Sequence, residues 1–567
     1  MFASLARAYL MIGRPETPPE IEADAVAAAE STPSEEVDPA RPRSGRLARS
    51  TALFSLATAA SRVAGLVREM VAASYFGTLG PMSAFTIAFQ VPNLVRSLFA
   101  DAAIQAAFVP VFTELLEKGE RREAFRLAST MLFLVTLILG AITALFILLA
   151  PVVMPLFIPD QYEAVKDLTV VLSQLLFPIV LLLGVTGMVV GVLNSYDRFG
   201  AYAISPFFWN VAIIAVLVAL VPAFPEEDEI YAYAIGVLVG TVIQLLIPAW
   251  DLRNTPYGLR RALLAPFSFK REGWRDSRVR RVLLLMLPVT ISLGLINVNL
   301  LINSTVGFLV SDQAPAAIDK AFRIYMLPQG IFSVAIATVL FPTLARFAAR
   351  ADRDGLRATM ANGMRQILLL LIPATAAILV LSEPMTRLIY ERGVFDDTST
   401  DLVSEALFWF AFSLPFNGLF LLLTRTFFSL QRPWLPTAIS VANLVITAGA
   451  ALLLYEPYGV GGIVAATGIA TIASVIAQAW VLRGELGRLE LGKLFSSGMR
   501  ILVAAAALAA VSYVVWDLLD SELGRGTGAQ IVSLGVALGA GALAYLAVVL
   551  ALRVPEADQA LRVIRRR

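Results

Sequence analysis

Apolar residues gather into fourteen long runs, at about 52–76, 84–115, 126–151, 168–194, 201–222, 230–250, 281–310, 318–346, 363–382, 402–429, 434–455, 459–482, 498–517 and 530–552. A helix that crosses a bilayer takes about 20 apolar residues, and the runs are of that order. The pattern predicts an all-α polytopic membrane protein with 14 transmembrane helices.

The polar loops between the runs sort by charge. One set is basic: EKGERREAFR (117–126), SYDRFG (195–200), the 251–281 loop, ARFAARADRDGLR (345–357), SLQRP (429–433), LRGELGRLELGK (482–493) and the tail RVPEADQALRVIRRR. The other set is mostly acidic: PDQYEAVKD (159–167), FPEEDE (224–229), SDQAPAAID (311–319), ERGVFDDTSTD (391–401) and WDLLDSELGRG (516–526). Basic loops stay in the cytoplasm, so both termini are expected there, and an even number of spans requires the same result.

The first twelve runs look duplicated. AFTIAFQVPNLVRSLFADAAIQAAFVPVFTEL (84–115) resembles AFRIYMLPQGIFSVAIATVLFPTLARF (321–347), and LNSYDRFGAYAISPFFWN (193–210) resembles FSLQRPWLPTAISVAN (428–443). The expected organisation is therefore two pseudo-symmetric six-helix lobes, 51–250 and 281–482, joined by a basic cytoplasmic linker, 251–280. A C-terminal helix pair at 498–552 and a basic tail at 553–567 follow. Residues 1–50, rich in Pro, Glu, Ala and Ser, are expected to be a disordered cytoplasmic N-terminus. Parallel repeats of this kind place a substrate site at the lobe interface and work by rocking.

Composition narrows the chemistry. Of 567 residues 58% are apolar and 16% charged, and the chain has neither Cys nor His. Disulfides, thiol chemistry, Cys/His metal sites and histidine proton relays are excluded together. No phosphate loop, metal-ligand cluster or nucleophile–base set is visible, so no enzyme, cofactor or metal is expected. The basic linker follows from positive-inside topology and gives no reason to expect nucleic acid. The acidic ERGVFDDTSTD is the one loop an enzyme reading would have to use, and charged surface loops are ordinarily just solvated.

The informative residues are charges inside apolar runs. SRVAGLVREM (61–70) puts Arg62, Arg68 and Glu69 in the first run; VPNLVRSLFADAA puts Arg96 and Asp101 in the second; Arg323 lies early in the eighth. Each deep arginine costs about 2.5–3.5 kcal/mol on insertion scales, so a purpose is expected. Glu69 and Asp101 are the carboxylates nearby, leaving about two positive charges over. Guanidinium forks suit phosphate oxygens, and surplus arginine between two lobes reads as a site for a phosphorylated substrate. The plain alternative is that these arginines pair with Glu69 and Asp101 and only lock helices together. Pro92, Pro110, Pro178, Pro328, Pro342 and Pro415 mark expected kinks, and Gly187 with Gly191 a close helix contact.

SRVAGLVREMVAASYFG with AFTIAFQVPNLVRSLFADAAIQAAFVPVFTE resembles the N-terminal signature of the MurJ/MviN lipid II flippases, of the multidrug/oligosaccharidyl-lipid/polysaccharide exporter superfamily. The likeness runs on through IYERGVFDD and LTRTFFSLQRPWLPT and covers about residues 50–550. It implies an inner-membrane flippase of peptidoglycan biosynthesis that moves lipid II, the undecaprenyl-diphosphate-linked precursor, to the outer leaflet by alternating access. The partners implied are that substrate and membrane lipids, the last two helices forming a groove for the lipid tail. Arg62, Arg68, Arg96 and Arg323 match the family's substrate-facing arginines; Glu69 and Asp101 match acidic residues beside them. Ser83 stands where many relatives carry an acidic residue, so the gating contact there is expected to differ. A flippase for another lipid-linked oligosaccharide, or an amphiphile exporter of the same superfamily, is the alternative. An exporter of cationic drugs would call for an acidic cavity.

Overall fold

The computed structural model describes residues 43–99, 102–265, 276–487 and 491–557. Most of the stretch read as disordered, together with Asp101, Lys270, Arg271, Arg275 and the end of the basic tail, lies outside the described residues. The chain divides into Met1–Thr51 and Ala52–Arg567, and everything below concerns the second unit, apart from the start of α1.

Among the described residues the secondary structure is helical throughout, without strands. The first bundle holds α1 (Arg43–Phe76), α2 (Gly80–Phe99), α3 (Ala102–Glu117), α4 (Arg121–Val153), α5 (Glu163–Leu176), α6 (Pro178–Asn194), α7 (Gly200–Leu220) and α8 (Ile230–Asp251). A short α9 (Leu259–Leu264) lies in the linker. Between the bundles runs α10 (Ser277–Gly307), with Val279 and Val282 in a core of the first bundle; the second bundle holds α11 (Ala314–Pro328), α12 (Val334–Ala349), α13 (Arg353–Tyr390), α14 (Asp397–Ser429) and α15 (Trp434–Leu486), followed by α16 (Leu491–Leu523) and α17 (Thr527–Ala551). Helix α1 starts at Arg43, inside the stretch expected to be disordered.

Ten helical stretches among the described residues are long and apolar enough to cross a membrane. The expected runs at 52–76, 84–115 and 281–310 each contain positions outside those described in full, and 434–455 and 459–482 run on as one. Within α15 the backbone turns sharply at Gly459 (φ 53°), so two helices meet there. Glycine takes that left-handed conformation without a Cβ penalty.

The prolines mark irregularities only in part. Pro178 is the first residue of α6, at the break from α5. Pro328 ends α11 just before a π-helical turn at Gln329–Ser333. Pro92, Pro110, Pro342 and Pro415 lie inside helices.

In lipid there is no hydrophobic drive between helices, so small residues that let backbones approach carry the packing. Gly236 and Gly240 of α8 do this: added Cβ atoms would lie 3.1 Å from Ile213 O and 2.9 Å from Trp209 O of α7. Gly191 sits 3.1 Å from the Phe108 ring by the same measure. The first bundle has two buried cores, around Phe108, Phe112 and Phe177 and around Phe85, Ile213 and Tyr233. The second bundle packs around Tyr325, Phe410, Leu414 and Phe427. The bundles also exchange residues: Ala73 of α1 belongs to the second bundle's core, and Ala316 of α11 to a core of the first.

Candidate functional site

Where α1 meets α11, a carboxylate is shared between two arginines. Arg68 and Glu69, neighbours in sequence, hydrogen-bond through Nη2 and Oε1. The same Glu69 oxygen lies 3.2 Å from Arg323 Nη1. Arg323 also donates from Nε to Asp319 Oδ2 at 2.8 Å, one helical turn back on α11. Arg68 also lies over the Trp209 ring, 4.6 Å from its centre, a cation–π contact. Glu69 and Arg68 are buried, whereas the Arg323 side chain keeps 33% of its surface exposed. Arg323 is therefore the more accessible of the two arginines.

Lys320 adds a third cation. It is fully buried beside this group, with Nζ 5.4 Å from the centre of the Tyr390 ring and no hydrogen-bond acceptor. Tyr390 in turn donates its hydroxyl to Lys320 O at 3.3 Å. Arg68, Arg323 and Lys320 thus outnumber Glu69 and Asp319 by one charge. Glu69 Oε2 has no partner either. Asp319 ends the polar stretch SDQAPAAID, which reads as an acidic loop, yet it is a counter-ion of Arg323. Ala314–Pro328 is helical from well before that position, which turns Asp319 toward Arg323. The Asp–x–x–x–Arg spacing (i, i+4) was the signal available for it. Lys320 carried no such signal, since a lysine at a loop end reads as solvated.

The remaining arginines stand apart. Arg62 is exposed and reaches across to the π-helical turn, where a Cβ on Gly330 would come 2.9 Å from its Nη1. Arg62 and Glu69 share a helix face by spacing, yet Glu69 is held by Arg68 and Arg323. Arg96 donates from Nε and Nη2 to Asn93 Oδ1, at 3.0 and 2.8 Å. Asp101 lies outside the described residues.

Ser83 belongs to a different structure, a set of bonds joining the bundles at one end. Ala316 N–H donates to Ser83 Oγ at 3.2 Å in the first turn of α11. Thr78 Oγ1 bonds Ser399 Oγ at 2.9 Å and donates to Gln313 at 3.2 Å. Val394 N–H donates to Ser74 O at 2.9 Å. Gly393 permits that approach: its φ is 63°, and a Cβ there would lie 2.2 Å from Ser74 O.

The family model described as lipid II flippase MurJ matches residues 72–532, most of the chain. The chain belongs to the MurJ family. Curated MurJ relatives agree along most of their length. The probable lipid II flippase MurJ of Rhizobium meliloti is 34% identical over 82% of this chain and 86% of its own. That of Vibrio cholerae is 29% identical over 91% and 98%. A solved structure of lipid II flippase MurJ in an inward closed conformation aligns with TM-score 0.71 at 21% identity, over 88% of this chain and 99% of that one. An inward-facing multidrug resistance MATE family transporter of the MOP superfamily aligns with TM-score 0.63 at 14% identity, over 76% and 95%. At those identities the likeness is one of fold, and it is the fold of a multi-span membrane transporter.

Proposed function

We propose that the chain is a lipid II flippase that carries the diphosphate head group between leaflets by alternating access, with Arg62, Arg68, Arg96 and Arg323 as its phosphate ligands. The observation that carries this reading is the Glu69 carboxylate shared by Arg68 of α1 and Arg323 of α11, in a group with surplus positive charge. A diphosphate offers several oxygens at guanidinium spacing and can take over from Glu69 and Asp319 without leaving the arginines unpaired. That exchange leaves no arginine as a buried, uncompensated charge.

The bundle-joining bonds near Ser83 support a state closed at that end. The loops there, 311–319 and 391–401, are acidic, so that end is assigned to the outer face and both termini to the cytoplasm. The closed state is then the one that admits lipid II from the inside. Substrate turns the cycle only by binding the two states unequally. Disengaging Glu69 from Arg323 supplies such a difference, since that contact joins the bundles. The polyprenyl tail stays in lipid beside α16 and α17, as in the resemblance to the flippase family.

The inner membrane of a bacterium is the assigned location, and no chemical reaction is assigned. Complementation tests the proposal: a bacterium depleted of its own flippase receives this chain or its Arg68→Ala and Arg323→Ala variants, with membrane levels checked. Growth with the wild type and none with well-expressed variants is the expected result. Equal growth with all three would remove the arginines from the mechanism. Growth with none, at good expression, would favour another lipid-linked substrate.

A further inference from the structure

Helix α10 is polar on two opposite faces. Asn297 and Ser304, seven residues apart, lie on one face; Asn299 and Asn303 lie about half a turn away. The first face meets α2: Asn93 donates from Nδ2 to Asn297 Oδ1 at 3.0 Å, and Gln90 donates to Ser304 Oγ at 2.9 Å. The second meets α15: Asn299 donates to Thr447 at 3.3 Å and Asn303 to Thr467 at 3.0 Å. One helix is thus hydrogen-bonded to both bundles at the same level.

The α2 contact has a fixed direction. A guanidinium only donates, so Arg96, with Nε and Nη2 both on Asn93, requires the amide oxygen of Asn93 to face it. The amide nitrogen of Asn93 must then face α10, where it needs an acceptor, and Asn297 presents its oxygen. Either amide in the opposite sense would set two donors against each other. Three side chains on two helices therefore form a one-way relay ending at an arginine of the candidate site.

We propose that Asn93 and Asn297 are positioning residues that set the guanidinium of Arg96 for the diphosphate, and that α10 thereby makes head-group binding depend on how it is seated between the bundles. This rests on the assignment of Arg96 to phosphate binding. A shift of α15 that drags α10 by an ångström or two breaks the Asn93–Asn297 bond, frees the Asn93 amide to turn, and loosens Arg96. By linkage, bound head group favours the seated position of α10 by the same factor. Since that seat is made with both bundles, the relay joins substrate binding to their arrangement.

The test is lipid II binding to the purified full-length chain, with melting temperature read alongside. Asn297→Leu deletes the acceptor. Asn297→Asp keeps an acceptor oxygen at the same reach. One hydrogen bond of this kind is worth about 1 kcal/mol, so Asn297→Leu is expected to weaken binding about fivefold. Asn297→Asp should retain binding near the wild-type value, and Asn297→Leu should have no further effect in an Arg96→Ala background. Additive losses in the double variant, or equal losses with Leu and Asp, would overturn the relay while leaving Arg96 as a ligand. Full binding by Arg96→Ala would instead overturn the assignment on which it rests. A fall in melting temperature without a change in affinity would mark Asn297 as structural and also overturn the proposal.

Discussion

Arg323 Nη1 lies 3.2 Å from Glu69 Oε1, so an ion pair connects α11 of the second bundle to α1 of the first. Both residues come from apolar stretches, and Glu69 has almost no contact with solvent. Breaking such a pair by removing one member is costly because it strands the other charge. Glu69→Gln is expected to lower stability by on the order of 3 kcal/mol. Melting of the purified variant in detergent checks this. Adding Arg323→Gln to Glu69→Gln should recover part of the loss, as the stranded charge is removed with it.

Gly330→Ala should separate stability from transport. The added Cβ meets the flexible tip of Arg62 at 2.9 Å, and a side-chain end can move aside cheaply. Alanine is favoured over glycine in helices by up to about 1 kcal/mol, so the fold should hold. Flipping should fall by several-fold because Arg62 is displaced. Melting and lipid II translocation measured on the same preparation decide it; unchanged translocation would show that the position of Arg62 is not used.

Gly393→Ala acts at the joined end. Its Cβ would meet Ser74 O, a backbone atom that cannot step aside, at 2.2 Å. The residue also holds φ at 63°, unfavourable for alanine. The substitution should populate states in which the two bundles part there. The chain contains no native cysteine, so Thr78→Cys with Ser399→Cys gives a clean reporter. Disulfide formation between them should be efficient in the parent and clearly reduced with Gly393→Ala.

Asp396 gives a pH dependence with a definite sign. It caps α14, accepting the Ser399 N–H at 2.9 Å, and this bond holds its carboxyl below the ordinary value of 3.8. The cap's contribution is complete above 3.8 and fades as pH falls through the lowered folded-state value. Asp396→Ala should cost about 1 kcal/mol at neutral pH. The deficit should stay constant down to pH 5 and shrink only in stronger acid, as read from melting of both proteins across that range.

Much of this architecture was legible in the chain because lipid makes charge conspicuous. Arg68, Glu69 and Arg323 stood out as charges within apolar runs, and they meet. Asp319 and Lys320 did not, because they follow SDQAPA, whose polarity reads as a loop although α11 begins at Ala314. Which partner Glu69 would take was equally hidden: spacing along one helix favours Arg62, and only packing across helices brings in Arg323. The turn at Gly459 and the π-helical turn at Gln329–Ser333 are local departures that hydropathy does not register. The close approach of α8 to α7 rests on Gly236 and Gly240, whereas the sequence drew attention to Gly187 and Gly191.

The most direct test is translocation of lipid II by the purified chain in proteoliposomes, comparing wild type with Arg68→Ala and Arg323→Ala at matched incorporation. The arginine cluster predicts translocation by the wild type and at least a tenfold loss in each folded variant. Translocation by the variants at the wild-type rate would contradict it, and would leave the cluster as a lock between α1 and α11.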